Sequence, residues 1–338
     1  MTSFKAKLGR LVSLGKITEN EYRNFLLRGI QYQKFGSKYP CLQEVFPDGI
    51  PVGASESFID ELEFPYQETS YVCASTGITY PRTYLYKTDK TDGGVTDLAG
   101  GKRPIGDNLF ASLSRIIVGA HAILVSADNL MANSNQIWDW NFFADNLKTN
   151  YNELYAETAD FAQQNSSSDP IQVILARKKS TFERLDFLDA YKKDKIAIFN
   201  SKKVVILTNL EGYEHISKGM DGVEFISKTK PNGDIDIKEC LKQLRKEFDI
   251  KKILNDGGRK MSCGMKCLGL LGGERISYEP YPGDNFLPNQ VTNEMILGKD
   301  ESGIDGSPIP NSIVAFSQKI NIEQEEQLNL HLYPMQNF

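Results

Sequence analysis

The stretch best suited to chemistry is Lys251 to Cys267, KKILNDGGRKMSCGMKC. A short apolar run leads into Asp256, the pair Gly257-Gly258 and a helix-like segment beginning at Arg259. At such a strand-to-helix turn, exposed backbone N–H groups and the positive end of the helix dipole favour an anion. Glycines let a phosphate approach the main chain closely. The same pair serves equally well as a tight turn. A basic group, Arg177, Lys178 and Lys179 with Arg184 beyond, follows the apolar run Ile171–Ala176. It has two readings, a phosphate site at a strand end or a solvated charged face. After the apolar run AILV at Ala122–Val125 comes the polar stretch SADNLMANSNQ. Ligands gather at the carboxyl ends of strands in open α/β sheets, and a helix cap built by Asp128 or Asn129 accounts for the stretch almost as well.

Other chemistries find no support. His121, His215 and His331 are far apart and fall in no HxxxH or HxE pattern, which leaves no histidine metal site and no Ser-His-Asp triad. The five cysteines are odd in number and scattered, as in a reducing compartment. Cys263 and Cys267 lie one helical turn apart, but no second pair of ligands stands nearby, so no metal is expected. With 338 residues, 40% hydrophobic and 25% charged, the chain has the composition of a soluble globular protein. A net charge of -5 and a pI near 5.5 argue against a nucleic-acid partner. No apolar run approaches the roughly 20 residues of a membrane span, and the expected location is the cytoplasm.

The elements that must position these residues read as alternating helices and strands. Apolar spacing from Phe4 to Tyr32 predicts a helical hairpin, with Thr18 or Asn20 capping its second helix. From Phe35 to Tyr71 no period persists, and Pro, Gly and aromatics predict an extended wrapping loop. Strands are expected at Thr83–Thr88, Ala122–Val125, Ile171–Ala176, Ile196–Asn200, Lys203–Thr208, Val223–Ile226 and Ile253–Leu254. Helices are expected over 107–120, within 138–165, and over 237–248 and 261–271. A strand over 275–281 and a closing pair over 313–320 and 327–333 complete the pattern, the last two as an antiparallel hairpin. This is an α/β sheet with helices on its faces. The expected division is an N-terminal helical hairpin and loop, 1–77, and a main domain, 78–338.

Taken in order, the stretches YLYKTDKTDGGVT, VGAHAILVSADNLMANSN, ILNDGGRKMS, LGLLGGERISYEPYPG and IVAFSQKINIEQEEQLNLHLYP resemble the reductase domain of riboflavin biosynthesis. The resemblance covers about three quarters of the chain, from Ile78 to Tyr333. It implies a dihydrofolate-reductase-like mixed sheet and an NADPH-dependent reduction of a ribosylaminopyrimidine phosphate, by hydride delivery to the sugar C1 of a ring-opened Schiff base. Such chemistry needs the nicotinamide held over an imine carbon, one proton donor and phosphate sites. The resemblance puts Asp256 in the place of the family's Glu, as the carboxyl group nearest the reaction. Gly257 and Gly258 would carry the cofactor pyrophosphate, with Ser126, Asp128, Asn129 and Asn133 lining the other side of the cleft. Arg259 and Lys260 are candidates for a 2′-phosphate. Arg177 and Lys179 would face the substrate phosphate, Asp92 stands in the Asp-Gly loop, and Lys87 matches the family's strand lysine if a bulge intervenes. Ser126-Ala127-Asp128-Asn129 replaces the family's Gly-Ala-Gly-Thr, and the zinc-deaminase signature is absent. The family's habit implies a homodimer through the terminal hairpin. The alternative is a divergent nucleotide- or pyrimidine-binding protein without turnover on the same scaffold.

Overall fold

The computed structural model describes residues 4–29, 31–74, 109, 112–113, 115–132, 134–135, 137, 147–165, 169–176, 187–257, 259–278, 290–291, 310–322 and 325–335. Its strands are β1 (Gln31–Gln33), β2 (Ile50–Gly53), β3 (Tyr66–Ala74), β4 (Ala122–Ser126), β5 (Ile171–Ala176), β6 (Val204–Thr208), β7 (Glu224–Ser227), β8 (Lys252–Asn255), β9 (Leu271–Tyr278), β10 (Gln290–Val291), β11 (Ser312–Ile322) and β12 (Glu325–Pro334). Its helices are α1 (Phe4–Ser13), α2 (Glu19–Arg28), α3 (Pro40–Val45), α4 (Glu56–Asp60), α5 (Ala127–Ala132), α6 (Asn152–Asn165), α7 (Phe187–Lys192), α8 (Ile198–Ser201), α9 (Leu210–Ile216), α10 (Ile237–Phe248) and α11 (Arg259–Cys267).

β1 and β2 form a small antiparallel pair, and the other strands form one mixed sheet in the order β10-β11-β12-β9-β3-β8-β4-β5-β6-β7. From β9 to β7 all neighbours are parallel, whereas β10, β11 and β12 add an antiparallel end. The expected closing hairpin is there. β5 and β6 are apolar runs buried on both faces, as a parallel sheet between helices demands. On one face, Ile123, Val125, Ile174, Ile206 and Leu254 pack with residues of α3, α5 and α6. On the other, Leu124, Val173, Val205 and Ile253 meet α10 and α11. α10 spans the residues that its spacing predicts, with Cys240, Leu241 and Leu244 buried along one stripe.

The N-terminal helices also form as expected. Thr18 caps α2 through a capping box with Glu21. Leu8, Leu11, Ile17 and Phe25 of this hairpin pack with Ile313, Ala315 and Tyr333 of β11 and β12. Arg28, at the end of α2, is buried beneath the rings of Phe25, Phe58 and Tyr333, with its guanidinium carbon 5.3, 5.8 and 5.4 Å from their centroids.

Three expectations fail. The stretch 35–71, read as a loop, contains α3, β2, α4 and the start of β3, a strand inside the main sheet between β8 and β9. Its polar residues hid it, and tertiary partners explain them. On one face, Gln67 accepts from Asn255 Nδ2 at 3.4 Å, and the Thr69 hydroxyl donates to the Asn255 carbonyl at 2.9 Å. On the other, Glu68 accepts from Arg275 Nε and from the Tyr66 hydroxyl, and lies 3.3 Å from His331 Nε2. Gly53, at φ +91°, comes so close that a Cβ there would stand 2.2 Å from Glu68 Oε1. The stretch 196–200, read as a strand, ends in the short helix α8, since β6 directly after it takes the place in the sheet beside β5. The helix expected to reach Leu271 stops at Cys267, where Gly269 at φ +71° turns the chain so that Leu271 opens β9. The strand expected at Thr83–Thr88 lies outside the described residues. No helix among the described residues is long and apolar enough to cross a membrane.

Candidate functional site

β4 and β8 are parallel neighbours in the register Ala122↔Ile253 to Leu124↔Asn255, so both end at the same edge of the sheet. The N–H of Asp256 donates to the Leu124 carbonyl at 2.8 Å, which extends this ladder one residue past β8. Asp256 is thereby fixed at the strand end with its side chain 18% exposed. Across from it, the Ser126 hydroxyl accepts from the Asn129 N–H at 3.0 Å and caps α5. The cap is therefore Ser126, where the sequence pointed to Asp128 or Asn129. The Asn129 side-chain amide donates to the Asp256 carbonyl at 3.5 Å and ties the two strand ends together. Asp128 is exposed.

Sequence reasoning missed Arg115. The chain is helical at 109, 112–113 and 115–117, and Leu113, Ile116 and Val118 seat this segment in the core against the sheet. Arg115 is 1% exposed, and its Nη2 forms an ion pair with Asp256 Oδ2. The pair is charge-assisted and largely shielded from water. The other carboxylate oxygen, Oδ1, has no partner among the described residues. What the edge presents is an acceptor oxygen on a neutralised, immobilised carboxylate. A lone arginine in an apolar helix carries no motif. The signal available was the cost of burying a guanidinium without a counter-ion.

The glycine turn departs from expectation in one respect. The Gly257 N–H donates to Asn255 Oδ1 at 3.0 Å and is thus engaged within the turn, away from any phosphate. Glycine at 257 also leaves room for the Met261 side chain. A Cβ at 257 would stand 2.1 Å from the Met261 sulfur and 3.0 Å from Met261 Cβ, so the missing side chain lets α11 seat against the end of β8. Gly257→Ala should cost about 1–3 kcal/mol of stability by overpacking, and adding Met261→Ala should recover part of that loss. Denaturant unfolding of the three variants checks this. If Gly257→Ala is neutral, the close approach is not a constraint.

The structure therefore brings together Ser126, Asn129, Asp256 and Gly257 at one edge, with Asp128 beside them on the exposed side. Arg259 opens α11, but its side chain lies outside the described residues, as do Lys87, Asp92, Asn133, Arg177, Lys179 and Gly258. Among the described residues, no group of three His, Cys, Asp or Glu side chains is placed to hold a metal ion.

No family model and no curated protein matches the chain. Among solved structures it is similar to a pyrimidine reductase-like protein from Corynebacterium diphtheriae, at 15% identity and a TM-score of 0.46, covering 87% of this chain and 98% of that one. It is similar to the riboflavin biosynthesis reductase of Saccharomyces cerevisiae at 14% identity and a TM-score of 0.42, covering 88% and 100%. For RibD of Acinetobacter baumannii the figures are 13% and 0.41; 81% of this chain is matched, but only 59% of that longer protein. Likenesses at this level decide nothing about chemistry.

Proposed function

We propose that this chain is an NADPH-dependent reductase of the riboflavin-biosynthesis type, acting on a ribosylaminopyrimidine or a related pterin-like small molecule. The carboxylate of Asp256 is the observation that carries the proposal. Arg115 holds Oδ2, and Oδ1 is left to accept a hydrogen bond at the edge where β4 and β8 end. Parallel sheets take their ligands at such an edge, and a fixed acceptor there suits the hydroxyl or amino groups of a ribosylamine. The motif resemblance over 78–333 supports the same substrate class.

The dinucleotide supplies the hydride. The chain binds, orients and excludes water, the means by which such sites lower barriers. The charge of Arg115 offsets that of Asp256, so at this carboxylate an anionic dinucleotide would meet a neutral pair, while the exposed Asp128 beside it would have to point away from the phosphates. With the Gly257 amide engaged by Asn255, the contacts to the cofactor phosphates fall to Gly258 and Arg259. Arg177 and Lys179 take the substrate phosphate. Both assignments rest on the resemblance.

A second function, binding a nucleotide or pyrimidine without turnover, is favoured by that engaged amide and by the exposed, negative Asp128 where the resemblance has glycine. One experiment separates the two. NADPH at a hundredfold excess over its dissociation constant should raise the unfolding free energy by about 2.7 kcal/mol, and adding a ribosylaminopyrimidine phosphate should consume it. Stabilisation without consumption selects the binding protein. If millimolar NADPH gives no stabilisation, the reductase proposal fails.

A further inference from the structure

Within the reductase proposal, on which this inference rests, we infer that Arg115 is the positioning residue that makes Asp256 a substrate-binding group. A carboxylate on a turn can rotate about χ2 and can present either oxygen. Asp256 is denied that freedom, because Oδ2 is paired with a guanidinium whose side chain is itself 1% exposed, on a helical segment that Leu113 and Ile116 anchor in the core. The backbone is fixed as well, through its N–H to Leu124 and its carbonyl to Asn129. Three constraints from three separate segments converge on one residue, and together they leave a single oxygen, Oδ1, as the acceptor at the edge. The group that docks on it must be a hydrogen-bond donor. The site therefore selects the hydroxyl- or amine-bearing part of its substrate at Asp256, and the phosphate must be held elsewhere.

Arg115 also settles the local charge. Without it, Asp256 would repel both phosphate-bearing ligands. With it, the pair is neutral as a whole, while the donor-accepting character of Oδ1 is kept. Arg115 touches Asp256 and acts on the ligands through it, so its removal should leave a folded protein whose carboxylate is in the wrong orientation.

The test compares the unaltered protein with Arg115→Lys, Arg115→Met, Asp256→Asn and the double variant Arg115→Met/Asp256→Asn. Two readouts are taken: NADPH oxidation with a ribosylaminopyrimidine phosphate, and calorimetric affinity for the phosphorylated ribitylaminopyrimidine product in the absence of nucleotide. Arg115→Met should lower kcat/KM about 100-fold and weaken product binding at least about tenfold. Arg115→Lys, which keeps the charge but loses the planar fork, should fall between. In the double variant, Asp256→Asn should add less than about threefold, because the two residues act as one unit. Losses that multiply in the double variant overturn the positioning role, as does a variant that melts earlier while kcat/KM and product affinity stay unchanged. If Arg115→Met does not fold, Arg115→Lys carries the same comparison. If the unaltered protein neither oxidises NADPH nor binds the product, the reductase proposal itself falls, and this inference with it. Turnover accompanied by multiplicative losses removes the inference alone.

Discussion

Replacing Glu68 with alanine should lower the free energy of unfolding by about 3–5 kcal/mol, and urea or guanidinium titration would measure it. Glu68 is fully buried at the middle of the sheet, facing Arg275 and His331, which are also buried. Removing it strands the guanidinium of Arg275 in a site where Nη1 and Nη2 already have no hydrogen-bond partner among the described residues. An uncompensated buried charge costs far more than the intact pair is worth, and replacing both partners with apolar residues would cost much less. A loss under about 1 kcal/mol would mean that water reaches Arg275.

The same cluster sets the response to acid. Burial alone would raise the Glu68 carboxyl, but the charge of Arg275, that of His331 once acid protonates it, and the hydrogen bond from Arg275 bring it from 4.5 to about 2. Burial holds the His331 imidazole below its ordinary 6.5, against the opposing pull of Glu68. Each group binds fewer protons folded than unfolded, so stability rises with pH. The share of His331 is complete above 6.5 and shrinks as pH falls below it; that of Glu68 is complete above 4.5 and is lost as pH falls toward about 2. Glu68→Ala should remove the lower of these two limbs.

The second large effect is expected at the sheet edge. Asp256→Asn should lower turnover about 100-fold while NADPH affinity changes by less than about threefold. The amide has nearly the shape of the carboxylate, but Arg115 offers only donors and will claim the amide oxygen. The NH2 group is then forced outward, so a donor faces the donor of the substrate. Weakening a charge-assisted hydrogen bond should also cost about 1.5–3 kcal/mol of stability, so turnover must be measured well below the melting transition. Unchanged turnover in folded Asp256→Asn would make this carboxylate structural.

Much of the scaffold was legible because local pattern and tertiary outcome agree. β5 and β6 are short runs of apolar residues, α10 carries a stripe at helical spacing, and Thr18 with Glu21 writes a capping box. β3 was illegible for the opposite reason. Its Gln67, Glu68 and Thr69 read as loop residues until their partners Asn255, Arg275 and Ser262 are supplied by segments far along the chain. Part of the site could be read as well. Asp256 stands at a strand end next to Ser126 and Asn129, an adjacency that the motif resemblance implied and local pattern alone did not. The use of Gly257 could not be read, since only the positions of Asn255 and Met261 show that its N–H closes the turn and its missing side chain leaves room for a neighbour. Arg115 was hidden because its ion-pair partner Asp256 lies 141 positions later.

The place of β3 has a consequence during synthesis. Both of its neighbours, β8 and β9, come from the last third of the chain, and the Thr69 to Asn255 contact closes a loop of 186 residues. At about 5–20 residues per second, a ribosome needs roughly 10–40 s to make that stretch. Throughout that interval the nascent β3 has two open edges and an ionisable Glu68 without its counter-ion. The polar residues that hide this strand from sequence reading also keep it soluble while it waits, because an apolar strand left unpaired for so long would recruit its neighbours on the polysome.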